Sequence, residues 1–232
     1  MTPENTTSAR SLPMLECRSC GAGAPVHEHF CPQCSRILAL GRHGDYFTFF
    51  GLPKRLQLDA DVLERRFREL SRQFHPDYYY GATPTERLAS LERSSYLNDA
   101  YRILKNPVSR AEYVLSLEGV RSPSGQPSAV PPGLLEDVFA LNEELDEIRE
   151  QRESGADAES LRKRLDTART QVEARREAQE GAIDVLGREW DELPDAETAR
   201  RRTTLEALHE KLLERHYIAN LLTTIERELA GL

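Results

Sequence analysis

Apolar residues in this 232-residue chain recur at helical spacing, and the runs they form stop at prolines. Leu63, Phe67, Leu70 and Phe74 follow one another by four, three and four positions, which sets them on one face of a helix. That run halts at "FHPD", where Pro76 has no N–H to donate and pushes His75 out of the helical region. A second run carries Leu88, Leu91, Leu97, Tyr101 and Leu104 and halts at Asn106-Pro107. A chain punctuated in this way folds as a succession of helices; a large buried sheet does not suit it.

The first run starts at Asp59 or Asp61, either of which can cap it, the latter with Glu64 as a capping box. A shorter helix over roughly Val108 to Leu117 carries Ala111, Val114 and Leu117. Two main antiparallel helices with short helices at either end make a small core. Composition agrees: 39% of residues are hydrophobic and 30% charged, so core faces are narrow and much of the surface is solvated. A formal net charge of -8 would repel a phosphate backbone and argues against a general nucleic-acid binder. No apolar run reaches the roughly 18 residues a membrane span needs. The lead "MTPENTTSARSLPML" has neither the basic flank and apolar core of a signal peptide nor the look of a transit peptide, which points to a cytoplasmic protein.

"RSPSGQPSAVPPG", Arg121 to Gly133, disfavours both helix and strand and divides the chain. The expected segments are a disordered lead over 1–14, a cysteine segment over 15–44, a helical domain over 45–120, the linker over 121–133 and a bundle over 134–232. In the last, Leu134, Val138, Leu141, Leu145 and Ile148 form one seam. Leu161, Leu165, Ala168 and Val172, then Leu186 and Trp190, form a second. Leu205, Leu208, Leu212, Ile218, Leu222, Ile225 and Leu229 form a third, which starts after Pro194 with Asp195 as its cap. Three stripes favour an antiparallel three-helix bundle. A long coiled-coil dimer would be interrupted by Pro194 and by Gly155, Gly181 and Gly187. Leu135, Phe139 and Glu143 make an off-seam stripe on the first of these helices, and Tyr217 with Leu213 and Leu221 a comparable one on the last. These stripes are either exposed or part of one wide seam.

"CRSCGAGAPVHEHFCPQC" holds all four cysteines as two CxxC pairs, Cys17 with Cys20 and Cys31 with Cys34. Two such knuckles let four thiolates converge on one ion, and tetrahedral zinc suits them best. A rubredoxin-like iron centre is the lesser alternative. Four cysteine ligands leave no position for water, so the metal is expected to be structural. His27 and His29, inside the gap, read as solvated loop histidines.

The His75-Pro76-Asp77 triplet by itself reads as a helix terminator, with a histidine at the helix dipole and a turn aspartate. A hydrolase reading finds no nucleophile elbow and no triad, so the chain is not expected to be an enzyme. The surroundings add more. "DYFTFFGLP" (Asp45 to Pro53), "RQFHPD" (Arg72 to Asp77), "LNDAYRILKNPVSRAEYVLSLEG" (Leu97 to Gly119) and "LNEELDEIRE" (Leu141 to Glu150) resemble the HscB family of iron–sulfur cluster co-chaperones.

The resemblance implies an all-α chain, a four-helix J-domain followed by an antiparallel three-helix bundle, with the metal-stabilised four-cysteine knuckle in front. It implies that His75, Pro76 and Asp77 contact a DnaK/HscA-type chaperone and stimulate its ATPase, with Arg65, Arg66, Arg68 and Arg72 steering the domain onto an acidic surface. It also implies that Leu135, Phe139 and Glu143, with Tyr217, bind an IscU-type iron–sulfur scaffold. Mitochondrial members tend to carry such a cysteine segment, whereas many bacterial ones do not. Tyrosines follow Asp77 where the family often has lysine, and Tyr78 to Tyr80 are expected to pack on the helix pair, the alternative being added aromatic contact area. Glu136 and Ala140 stand where a larger apolar and an acidic residue are common. The rival readings are a general J-protein with a different client and a zinc-knuckle interaction or regulatory protein. A weak homodimer is a further partner the reading allows.

Overall fold

A computed structural model describes residues 14–41, 44–120 and 134–232. The expected linker and nearly all of the expected disordered lead lie outside these residues. The chain falls into two compact units, Met1–Arg110 and Ala111–Leu232.

The first unit begins with an antiparallel pair of short strands, β1 (Met14–Glu16) and β2 (Gly23–Pro25), in register Met14 to Pro25 and Glu16 to Gly23. This hairpin is a small addition to the all-helical expectation. It lies within the cysteine segment, where there is no apolar periodicity to announce it.

Helix α1 (Tyr46–Phe50) is short and capped at both ends: Asp45 accepts from the Thr48 N–H at 2.8 Å, and Gly51 closes it in the left-handed region. It buries Phe47, Phe49 and Phe50. Helix α2 (Ala60–Phe74) takes Asp59 as its cap, through the N–H groups of Asp61 and Val62. Glu64, free of the capping box, pairs with Arg68 instead. Leu63, Leu70 and Phe74 are buried as the spacing predicts, and Phe67 stacks on Tyr101 with ring centroids 4.1 Å apart. His75 leaves the helix with ψ 126°, and Pro76–Tyr79 forms a 3₁₀ turn.

Helix α3 (Pro84–Lys105) opens with a full capping box between Thr83 and Glu86 and has Pro84 in its first turn. Its buried face is Ala89, Ser90, Arg93, Leu97, Ala100 and Leu104. Leu88 and Leu91, expected on the inward stripe, face solvent instead. Helix α4 (Pro107–Leu117) follows at once, with the Asn106 side chain accepting from the Val108 and Ser109 N–H groups. Arg110 is buried and donates to the carbonyls of Leu56 and Leu104.

The second unit contains α5 (Leu135–Glu153), α6 (Ala158–Glu192) and α7 (Thr198–Ala230). Gly155, at φ +81°, turns the chain between α5 and α6, and Asp157 caps α6 through the Ser160 N–H. Gly181 and Gly187 do not interrupt α6; Gly187 is buried inside it. One core cluster joins Leu141, Leu145 and Ile148 to Leu161, Leu165, Ala168 and Ile225, and a second joins Leu134 to Ile218 and Leu222. Farther along α6, Trp190 is fully buried beneath the Arg201 guanidinium, 4.0 Å from the ring centroid. Arg201 also donates to the Leu193 carbonyl at 2.6 Å and so closes the end of α6. Asp195 does not cap α7: its fully exposed carboxylate faces Arg201 across 3.5 Å, and Glu197 holds the cap position without a side-chain bond.

Candidate functional site

The cysteine segment brings its four sulfurs together. The atoms of Cys17, Cys20, Cys31 and Cys34 all lie within 4.8 Å of one another, with Cys17 to Cys34 and Cys20 to Cys31 each at 3.7 Å. A disulfide would need about 2.05 Å. Four sulfurs held about 2.3 Å from one central ion stand about 3.8 Å apart, so the cluster fits a single tetrahedral metal.

The local fold explains the convergence. The two knuckles repeat the same bonds: Cys17 N–H donates to Ala22 O and Gly21 N–H to Cys17 O, while Cys31 N–H donates to Arg36 O and Ser35 N–H to Cys31 O, all at 2.8 Å. Gly21 and Ser35 occupy matching left-handed positions, at φ +73° and +58°. Amide donors reach the sulfurs as well. The Ser19 N–H above all, followed by that of Cys20, holds the Cys17 thiol down at about 6. Cys20 also receives an amide bond, from Ala22, yet burial and the other three sulfurs push it up to about 12. The cluster readily ionises once and resists further negative charge, a condition that a bound cation relieves.

The same segment is fastened to α3 by two arginines, the exposed Arg36, which pairs with Glu86 at 3.2 Å, and the buried Arg93. Arg93, only 1% exposed, donates to Leu38 O at 2.8 Å, to Ala39 O at 3.2 Å and to Glu28 O at 3.4 Å, and it meets His29 Nδ1 at 2.7 Å. Its guanidinium lies over the rings of Phe49 and Phe74. Burial lowers its pKa to about 10, so it stays charged at neutral pH. His29 is therefore not a solvated loop residue. It stands edge-on to Phe49 and Phe74, with centroids 4.8 and 4.9 Å away, and burial first, then the Arg93 charge, depresses its pKa to about 4. The neutral ring accepts the arginine's hydrogen bond. His27 matches expectation: it is exposed and faces Glu28 across 3.7 Å. Sequence reasoning missed His29 and Arg93 because the two are 64 positions apart and neither belongs to an apolar stripe.

At the foot of α2, Asp77 points into solvent with 86% of its side chain exposed, 3.5 Å from His75 Nδ1. The Asp77 N–H turns back to the same nitrogen at 3.3 Å. The chain behind this turn is held firmly. Ser90 and Ser94 both donate their hydroxyls to Phe74 O, at 2.7 and 2.8 Å, and the Tyr79 hydroxyl donates to Gln73 O at 3.0 Å. Of the three tyrosines only Tyr79 packs as expected. Tyr78 and Tyr80 are 74% and 85% exposed, because the 3₁₀ turn directs them outward. Arg65, Arg66, Arg68 and Arg72 are all exposed; Arg66 pairs with Glu69 and Arg68 with Glu64.

On the second unit, Leu135 and Phe139 are 42% and 61% exposed, and Glu143 is exposed beyond them. Tyr217 differs: it is half-buried and packs against the cluster of Leu134, Ile218 and Leu222. Among the described residues no helix is long and apolar enough to cross a membrane.

No family model matches the chain. The crystal structure of the human co-chaperone protein HscB is similar to it at a TM-score of 0.66 and 26% identity, covering 94% of this chain and 100% of that one. The chaperone HscB from Vibrio cholerae is similar at a TM-score of 0.53 and 29% identity, covering 81% of this chain and 99% of that one. In fold, length and sequence the chain is similar to the HscB co-chaperones, with a J-domain and a helical bundle preceded by a four-cysteine cluster that could hold a metal ion.

Proposed function

We propose that this protein is a co-chaperone of iron–sulfur cluster assembly and carries no catalysis of its own. Its J-domain, over 45–120, engages a DnaK/HscA-type chaperone through His75, Pro76 and Asp77 and stimulates ATP hydrolysis there. Its bundle, over 134–232, holds an IscU-type scaffold on the stripe of Leu135, Phe139 and Glu143, with Tyr217 at its margin. Chaperone and client then meet at high effective concentration on one adaptor. Zinc is the metal that best suits the four thiolates, and a cytoplasm that keeps thiols reduced is the compartment that suits the protein.

The observation that carries this reading is the exposure of the Asp77 carboxylate on a turn anchored from behind. A charge so placed is free to pair with a basic group on a partner, and the partner's conformational equilibrium shifts by differential binding. Chaperone ATP turnover measured with this protein, with and without a scaffold, tests the reading. Stimulation that grows when both are present is expected; turnover that ignores this protein would refute it.

A further inference from the structure

One face of α3 touches both the cysteine cluster's segment and the His75–Pro76–Asp77 turn. Ser90, Arg93 and Ser94 share that face, three and four positions apart. The two serine hydroxyls hold the Phe74 carbonyl, the last one before His75. The guanidinium between them lies 5.6 Å from the Phe74 ring centroid and makes four polar contacts with residues 28–39. His29 completes the connection, resting on the Phe74 ring while it accepts from Arg93.

None of the polar groups meeting the Arg93 guanidinium is a carboxylate; three are backbone carbonyls and one is an imidazole. A charge 1% exposed depends on those partners, because removing them leaves several N–H groups dry and unpaired. The partners keep their places only while residues 14–41 hold their shape, and so small a segment with few apolar side chains owes that shape to its metal. If the segment loosens, Arg93 must leave the cage of Phe49 and Phe74 to find water. Phe74 then loses both its ring contacts and the fixed helix face that anchors its carbonyl.

We propose that Ser90, Arg93 and Ser94 are positioning residues through which the four-cysteine cluster sets the rigidity of the His75–Pro76–Asp77 turn. The cluster is then a brace internal to the J-domain, and its loaded state governs how well the turn is preformed for a partner. That consequence rests on the chaperone-docking function proposed above, whereas the mechanical coupling does not.

Hydrogen exchange of the full-length protein, loaded with zinc or stripped by a chelator, tests the coupling without any chaperone. The reporters are the amides of Asp77, Tyr78 and Tyr80, which donate within the turn to His75 Nδ1, His75 O and Asp77 O. Zinc removal is expected to raise their exchange by about tenfold while amides around Leu63, Leu97 and Leu104 stay protected. In zinc-loaded Arg93→Met, which keeps an apolar stem in the aromatic cage, the same amides should already exchange fast and respond little to the chelator. Ser90→Ala/Ser94→Ala, which leaves the guanidinium in place, should free the turn without releasing zinc, and serves if the arginine variant does not fold.

Loosening confined to 14–41 overturns the proposal. So does uniform loosening of α2 and α3, which would make the segment a general stabiliser and not a brace for the turn. Coupled exchange together with a failure to stimulate any chaperone would leave the brace standing and refute the docking function.

Discussion

Asp77 faces His75 across 3.5 Å, yet most of its side chain is left in solvent, so the pair is a surface contact and not a buried bridge. Such an exposed pair contributes little to folding. Asp77→Asn and His75→Gln should therefore leave helicity and the melting midpoint nearly unchanged. On a chaperone the same carboxylate would be desolvated against a cation, where truncating one partner typically costs about 2 kcal/mol or more, roughly thirtyfold in affinity. ATPase stimulation by either variant should collapse at concentrations that saturate the wild type. Circular dichroism beside steady-state turnover checks both halves, and normal stimulation by either variant would remove the role given to this turn.

The four arginines of α2 should not contribute equally. Arg66 and Arg68 already face Glu69 and Glu64, which partly neutralises their outward field. Arg65 and Arg72 make no ion pair among the described residues. Arg65→Ala/Arg72→Ala should slow association with an acidic chaperone surface more than Arg66→Ala/Arg68→Ala does. The gap should narrow as salt shortens the Debye length from about 30 Å at 0.01 M to about 8 Å at 0.15 M. Stopped-flow association rates at two ionic strengths decide this, and equal rates for both double variants would contradict it.

The parts of this fold legible in the sequence are those set by local rules. Proline stops, the Asp59 cap, the CxxC pairs and the bundle seams each need only a short stretch of chain to be recognised. What was not legible depends on distant partners. In α3 the true inward positions are 90, 93, 97, 100 and 104, spaced by three, four, three and four, but two of them are Ser90 and Arg93. An apolar count passes over both and prefers Leu88 and Leu91, which lie on the wet side. Polar residues can fill a core face only where acceptors await them, and here these come from Phe74 and from residues 28–39. His29 escaped notice for the same reason. The outward tyrosines are a different case: three aromatics in a row look like core, but a 3₁₀ turn cannot direct consecutive side chains the same way.

The cysteine segment offers a direct test of backbone strain. Ser35 adopts φ +58° at the position where the first knuckle uses Gly21 at φ +73°. A side chain in this region costs about 1 kcal/mol or somewhat more relative to glycine. Ser35→Gly should therefore tighten metal retention against a competing chelator, and Gly21→Ala should weaken it by a similar factor. Chelation of the wild type should loosen 14–41 toward protease while far-UV helicity largely survives, because the helices bury their own apolar faces. If the two variants retain metal equally, the knuckles do not share the backbone geometry that their hydrogen bonds describe.

On the bundle, exposure separates binding from stability. Leu135 and Phe139 are 42% and 61% exposed, so replacing both by alanine should lower the melting midpoint less than truncating a fully buried pair would. At an interface the same side chains would be the aromatic and aliphatic centre of the contact, where truncation costs about 2 kcal/mol or more. Leu135→Ala/Phe139→Ala should accordingly weaken binding of an IscU-type scaffold by at least tenfold while stimulation of the chaperone alone persists. Tyr217→Ala should behave differently, lowering stability as well as binding, because its ring packs on Leu134, Ile218 and Leu222. Calorimetric titration with the scaffold, set beside thermal melts of the three proteins, separates the two effects. Unchanged scaffold binding by the double variant would mean that this stripe is bare surface and that the client docks elsewhere.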